Sequence, residues 1–275
     1  MSRSIGSDGL GLLMDRIPRD VPWLIDIDGT LVDALGPHLA GSDQIRLSLR
    51  SYFDDGLAGR IGDRFDEIYV QLLQSHQGDG RGERSESAPT GLEERVRSAQ
   101  ILRDDETYRM FSREVLLYLA LEDFGVEVSN ARLASSVESY WRAFSQAQRP
   151  LPGAIELMVG LKSSGWSTYF FTGSDARANQ VGPGLFQYDA GRSMATKRHR
   201  IARLADRGIY ADSAFIADPW DKSSSRFFDR VFADLDARSG SRKVVVVGDS
   251  YQSDLREAVD RKRAALAVLV GVPRD

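Results

Sequence analysis

Apolar residues along the chain fall into two spacings. Short unbroken β-rich runs end in small or acidic residues: Trp23 to Ile27 before Asp28, "STYFF" (Ser167 to Phe171) before Thr172, and "KVVVV" (Lys243 to Val247) before Gly248 and Asp249. Weaker runs of the same kind are "SAFIA" (Ser213 to Ala217) before Asp218 and "ALAVLV" (Ala265 to Val270) before Gly271. Apolar runs without polar alternation predict strands covered on both faces of a parallel sheet. Between the later runs the spacing turns helical. "AIELMVGLKSSG" places Ile155, Met158 and Leu161 on one face, and "SSSRFFDRVFADLDARSG" does the same with Phe227, Val231 and Leu235, with Ser223 to Ser225 as caps and Gly240 as a stop. Strands alternating with helices predict an α/β domain.

The interval from about Ala34 to Arg149 reads differently, as helical periodicity without a convincing strand. "TYRMFSREVLLYLALEDFG" predicts one helix ending near Gly125. "SNARLASSVESYWRAF" predicts another, with Ser129 as N-cap and Leu133, Val137, Trp141 and Phe144 as packed core. "HQGDGRGERSESAPTG" (His76 to Gly91) is glycine, serine and alternating charge, and is expected to be a mobile surface loop. A helical module therefore interrupts the α/β domain after its first strand, and "RPLPG" (Arg149 to Gly153) brings the chain back.

Composition narrows the function classes. The 275 residues, 42% hydrophobic and 28% charged, suffice for one large or two modest cores. A formal net charge of −4 argues against nucleic acid or an anionic membrane as partner and leaves small molecules as the default. The absence of cysteine excludes disulfides, thiolate metal sites and a cysteine nucleophile, and fits a reducing compartment. The apolar patch Leu10 to Met14 is broken by glycine and makes a poor signal peptide, and no run approaches the ~18 apolar residues of a membrane span. A cytoplasmic protein is expected, with its oligomeric state open.

The polar residues that close these strands carry the candidate chemistry. In an open parallel sheet, ligands bind beyond the carboxyl ends of the strands, where strand order reverses. Asp26 and Asp28 close the first strand, Thr172, Gly173 and Ser174 the second, and Asp249 with Asp254 follow the valine run. Four carboxylates around one crevice repel unless a cation offsets them, and an all-oxygen set suits Mg2+. With Mg2+, a phosphate substrate fits, and Asp26 is available as a nucleophile. Thr172 offers a hydroxyl. The amides of Gly173 and Ser174 are expected to open a short helix, "SDARANQ", whose N-terminus would favour an anion. Lys222, past "FIADPWD", is the preferred cation for the transferring group over Lys197, whose "TKRHR" run reads as a solvated helix face.

"DIDGT" (Asp26 to Thr30), "FFTGS" (Phe170 to Ser174), Lys222 ahead of a helix, and "VVVVGDSYQSD" (Val244 to Asp254) together resemble, in order and spacing, the four signature motifs of the haloacid dehalogenase-like hydrolase superfamily. The resemblance implies a Rossmann-like parallel-sheet core over residues 15–34 and 151–275, with a mainly α-helical cap domain inserted at 35–150. It implies Asp26 as the nucleophile forming an aspartyl-phosphate and Asp28 as general acid/base. Thr172 and Lys222 would hold phosphate beside Gly173 and Ser174. Asp26, the backbone carbonyl of Asp28, and Asp249 would hold Mg2+, with Thr30 and Asp254 in support.

Within that family an aspartate two residues after the nucleophile implies phosphoester chemistry, because it protonates a leaving alkoxide and activates water. The inserted cap would close over the site and read the leaving group. The chain departs from the family pattern at Ser223, where relatives usually carry proline, in the long segment after the second motif, and in the His76 to Gly91 loop. His38, His76 and His199 are expected at the surface, Asp33 as a turn cap, and Trp220 either lining the site or covering the sheet edge. The expected function is a Mg2+-dependent phosphatase of a small phosphorylated metabolite. The alternatives are a phosphomutase on the same core and a catalytically silent binding or regulatory protein.

Overall fold

Strand β1 (Trp23–Ile25) is central in a five-stranded sheet whose neighbouring strands all run parallel. β3 (Thr168–Gly173) and then β6 (Ser213–Ala217) lie on one side of it, and β7 (Val244–Gly248) and then β8 (Ala264–Leu269) on the other. The structure, a computed structural model, describes residues 16–77, 91–101, 112–218 and 220–271. Much of the 76–91 segment read as a loop, the His76 side chain, and Asp15 lie outside the described residues.

Both faces of the sheet are covered, which is why its strands carry apolar residues without alternation. Trp23, Ile25, Phe170, Val245 and Val247 point to one side, against Met158 and Leu161 of α6 (Ala154–Ser163) and Leu204 of α7 (Ala190–Ala205). Leu24, Tyr169, Phe171, Val244 and Val246 point to the other, against Phe227, Phe228, Val231 and Leu235 of α8 (Ser225–Ser239). α8 ends at Gly240, in the left-handed conformation with φ 67°. Two details depart from the expected pattern. β8 is an edge strand, and its exposure alternates because only one face meets the core. Met158 and Leu161 face the sheet as expected, but Ile155 turns outward and Ala154 takes its place at the start of the buried stripe of α6.

The chain between β1 and β3 forms α1 (Leu35–Leu49), α2 (Asp55–Gln77), α3 (Gly91–Ala99), α4 (Arg113–Asp123) and α5 (Asn130–Ala147). Their core joins Ile45, Phe65, Ile68, Leu116, Leu133, Val137 and Tyr140. The Ser129 hydroxyl caps α5 as expected, accepting from the Arg132 amide at 3.4 Å. α4 starts later than the long helix expected from the sequence, because the Ser112 hydroxyl caps the Val115 amide; Thr107 to Phe111 lie outside the described residues.

The segment after β3 does not form the expected short helix. It enters β4 (Ala178–Gly182), which turns into β5 (Leu185–Tyr188) as an antiparallel hairpin. β5 also pairs with β2 (Gln100–Ile101), a two-residue strand in the interval that read as helical without a convincing strand. Ala178 and Phe186 are buried in the helical module's core, so this hairpin ties the module to the sheet.

Candidate active site

The sheet sets the site by its order. β3 and β6 continue away from β1 on one side, and the chain then crosses to place β7 on the other, so the crevice opens beyond the carboxyl ends of β1 and β7. Asp26 stands there, its amide bonded to the Val247 carbonyl at 2.9 Å and its side chain buried. The turn that follows is tied by the amides of Thr30, Leu31 and Val32, which all donate to the Ile27 carbonyl. This turn returns the Thr30 hydroxyl to Asp26 Oδ2 at 3.1 Å. Gly29 takes φ 86°, and any Cβ there would collide with the Asp249 carboxylate, so the turn needs glycine for both conformation and space.

Lys222 reaches the same point from the loop after β6. Its Nζ donates to Asp26 Oδ1 at 2.5 Å and lies 2.6 Å from Asp254 Oδ1. Asp254 sits fully buried in a π-helical turn, Tyr251–Leu255, where the Ser250 amide and the Ser253 hydroxyl also donate to it. Asp249 borders the group on the solvent side, and oxygens of Asp26, Asp249 and Asp254 lie within 4.8 Å of one another.

Burial, reinforced by Asp254 and Asp249 against the opposing pull of Lys222, raises the Asp26 carboxyl to about 7. Partial burial and Asp254 raise Asp249 to about 6. Burial opposes the Lys222 ammonium, but Asp254 and Asp26 outweigh it and hold the charge. Three crowded oxygen donors with one cation among them fit a hard divalent ion, which would offset the repulsion that raises the two carboxyls.

Asp28, two residues on, faces different partners. Lys197 Nζ donates to its Oδ2 at 2.6 Å, and the Arg200 guanidinium bridges Asp28 Oδ1 and Asp175 Oδ1. Lys197 also lies 3.7 Å from Asp175. Burial works against the Asp28 carboxylate, but Arg200 and Lys197 outweigh it and hold it well below the usual range. The expectation of a solvated Lys197 is therefore corrected. Ser193, Lys197, Arg200 and Leu204 form the buried stripe of α7, and the facing carboxylates offset the charge that made the run look like a surface.

The second motif closes differently from expectation. Thr172 is buried at the end of β3, and Gly173 pairs with Ala217. The Ser174 amide donates to the Ala217 carbonyl at 3.2 Å, so it continues the sheet ladder instead of opening a helix. Its hydroxyl meets the Tyr188 hydroxyl at 3.3 Å, and Tyr188 in turn donates to Asp218 at 2.8 Å. Asp175 to Arg177 lie outside any helix, held there by the partners of Arg177. Its amide donates to Ser193 Oγ, its carbonyl accepts from the Asp189 amide, and its guanidinium forms a buried pair with Glu114 at 2.8 Å.

Solved structures share this fold. YfnB from Bacillus subtilis, named a HAD-hydrolase and described as bound to magnesium, matches 92% of this chain and 89% of its own at 16% identity, with a TM-score of 0.51. A protein from Thermotoga maritima named a beta-phosphoglucomutase matches 93% of this chain and 88% of its own at 16% identity, with a TM-score of 0.52. The chain has the haloacid dehalogenase-like hydrolase fold. No protein-family model matches the sequence, and no curated protein does.

On this haloacid dehalogenase-like fold the remaining singled-out residues divide plainly. Asp33 caps the entry to α1, accepting from the Leu35 and Gly36 amides at 2.9 Å each. Trp220 packs on the Phe227 and Phe171 side of the sheet, and His199 is exposed. His38, expected at the surface, is buried in the helical module, 2.9 Å from the Tyr140 hydroxyl and 3.4 Å from Asp66, stacked on Tyr69. Burial in that aromatic setting lowers its proton affinity. Sequence reasoning missed Asp175 and Arg200. The available signal was the stripe Ser193, Lys197, Arg200, Leu204, whose spacing puts two cations on the buried face of one helix.

Proposed function

We propose that the chain is a Mg2+-dependent phosphatase of small phosphorylated metabolites that works through a phosphorylated Asp26. The observation that carries this reading is the setting of Asp26: a buried carboxylate at a strand end, one oxygen held by Thr30 and the other by Lys222, beside Asp249 and Asp254. In the first step an Asp26 oxygen attacks phosphorus, the bond from phosphorus to the leaving oxygen breaks, and that oxygen takes a proton from Asp28 or from solvent. In the second, water attacks the phosphoaspartate, its proton passes to Asp28, and the bond from phosphorus to Asp26 breaks to release inorganic phosphate. Lys222 would hold the transferring group against Asp26, with help from the Thr172 hydroxyl at the end of β3.

Asp26, Asp249 and the carbonyl of Asp28 would hold Mg2+, with Asp254 in support; when bound, the ion offsets charge on the phosphoryl oxygens. The magnesium described for YfnB supports this choice. Asp28, held ionised by Lys197 and Arg200, is free to take the proton from water, although the same two cations lower its basicity. The helical module would read the leaving group, and a chain without cysteine fits a cytoplasmic site of action.

A phosphomutase is the second reading, favoured by the likeness to the structure named a beta-phosphoglucomutase. A phosphate-release screen over phosphorylated metabolites and acyl phosphates separates the readings. Inorganic phosphate should appear with Mg2+, vanish with a chelator, and be lost in Asp26→Asn. Isomerised sugar phosphate without net release supports the mutase. Asp26→Asn retaining more than a tenth of wild-type turnover, about 1.4 kcal/mol in barrier, contradicts the covalent route.

A further inference from the structure

We propose that Lys197 and Arg200, braced by Asp175, are positioning residues that fix the Asp28 carboxylate for the water-activating step; this rests on the phosphatase reading. Asp28 faces the crevice with 29% of its side chain exposed, and a carboxylate in such a place would ordinarily be free to rotate. Here each oxygen has its own donor. Lys197 holds Oδ2 and Arg200 holds Oδ1, so both side-chain torsions are set.

The clamp is itself braced. Arg200 shares its guanidinium between Asp28 and Asp175, and Lys197 lies near Asp175 as well, so the four groups close a ring between the loops after β1 and β3. The guanidinium also sits over the Phe144 ring, 4.4 Å from its centroid, and so meets α5 of the helical module. Lys197 and Arg200 are almost wholly buried. Burying cations costs desolvation that ion pairing only partly returns, and apolar side chains of similar volume usually serve stability as well. The cost is understandable if the pair serves the orientation of Asp28. Lys222, engaged with Asp26 and Asp254, is not bonded to the Asp28 side chain among the described contacts, so the two cationic sites divide the two aspartates between them.

The test uses acetyl phosphate with Mg2+ and the full-length protein, following bound phosphoryl by intact-mass spectrometry and released phosphate in parallel. Acetyl phosphate needs little acid help, so phosphorylation of Asp26 should survive the loss of the clamp. In Arg200→Met and Lys197→Met, turnover should fall by about 10²-fold, the scale of a misplaced catalytic group, while phosphoenzyme accumulates. Lys197→Arg, which keeps a donor on Asp28, should restore much of the turnover. Asp175→Asn leaves both cations in place and should show the same accumulation with a smaller loss, and it decides the matter if the methionine variants fail to fold. Loss of turnover without accumulation, or wild-type turnover in Asp175→Asn and either folded methionine variant, overturns the proposal while leaving the phosphatase reading standing. A wild-type protein that neither gains a phosphoryl group nor releases phosphate from any phosphorylated compound removes the reading itself, and the proposal with it.

Discussion

Asp26 and Asp28 leave the same strand end and meet opposite surroundings, and the difference has a sign that pH can read. Asp26 and Asp249 are raised to about 7 and about 6, so the metal-free folded protein binds protons that the unfolded chain has shed. Their contribution to stability is complete below the ordinary carboxylate range near pH 4 and is lost as pH rises through about 6 to 7. Asp28 is lowered, so its contribution is present above that range and fades only in acid. The melting temperature of the metal-free protein should therefore carry a falling component between pH 5 and pH 8. Added Mg2+ should raise it more at pH 8 than at pH 5, because the carboxylates must shed protons to bind the ion. Scanning calorimetry with and without Mg2+ checks this, and an equal or larger shift at pH 5 would contradict it. Asp26, Asp249 and Asp254 were legible from "DIDGT" and "GDSYQSD", since strand-end acidic residues show in one local window. Lys197, Arg200 and Asp175 were not, because a buried cation looks like a surface one until carboxylates from other segments stand opposite.

Elements were readable where one face and one period governed them. α5 and α8 carry the stripes expected of them, and β3, β6 and β7 fall within a residue or two of the apolar runs. The β4–β5 hairpin was not readable, because its apolar residues are few and its partners are distant: Glu114 for Arg177, and the helical core for Ala178 and Phe186. That packing predicts a measurable role. Phe186 is fully buried, with its ring edge-on to Tyr118 at 5.4 Å between centroids. Phe186→Ala should cost about 3–5 kcal/mol in denaturant unfolding, as large-to-small core substitutions do. A loss under about 1 kcal/mol, the scale of a surface change, would show that the hairpin merely lies on the module.

At the scale of the whole molecule, the strand order places Asp26 and Asp249 at one crevice although more than two hundred residues separate them in sequence. Alternating strands and helices made the parallel sheet legible, and the long helical interval after β1 made the insertion legible. How the inserted module meets the sheet was not, since Arg200 over Phe144 and Arg177 on Glu114 are contacts between segments with no local signature. The central claim is that this assembly makes Asp26 a phosphoryl acceptor, and trapping the acceptor tests it most directly. Asp28→Asn treated with acetyl phosphate and Mg2+ keeps the attacking carboxylate but lacks the base that activates water. Intact-mass spectrometry should show one added phosphoryl group, removed by hydroxylamine and absent when Asp26→Asn is combined with Asp28→Asn. If the single variant never gains that group, or the double variant gains it equally, Asp26 is not the nucleophile.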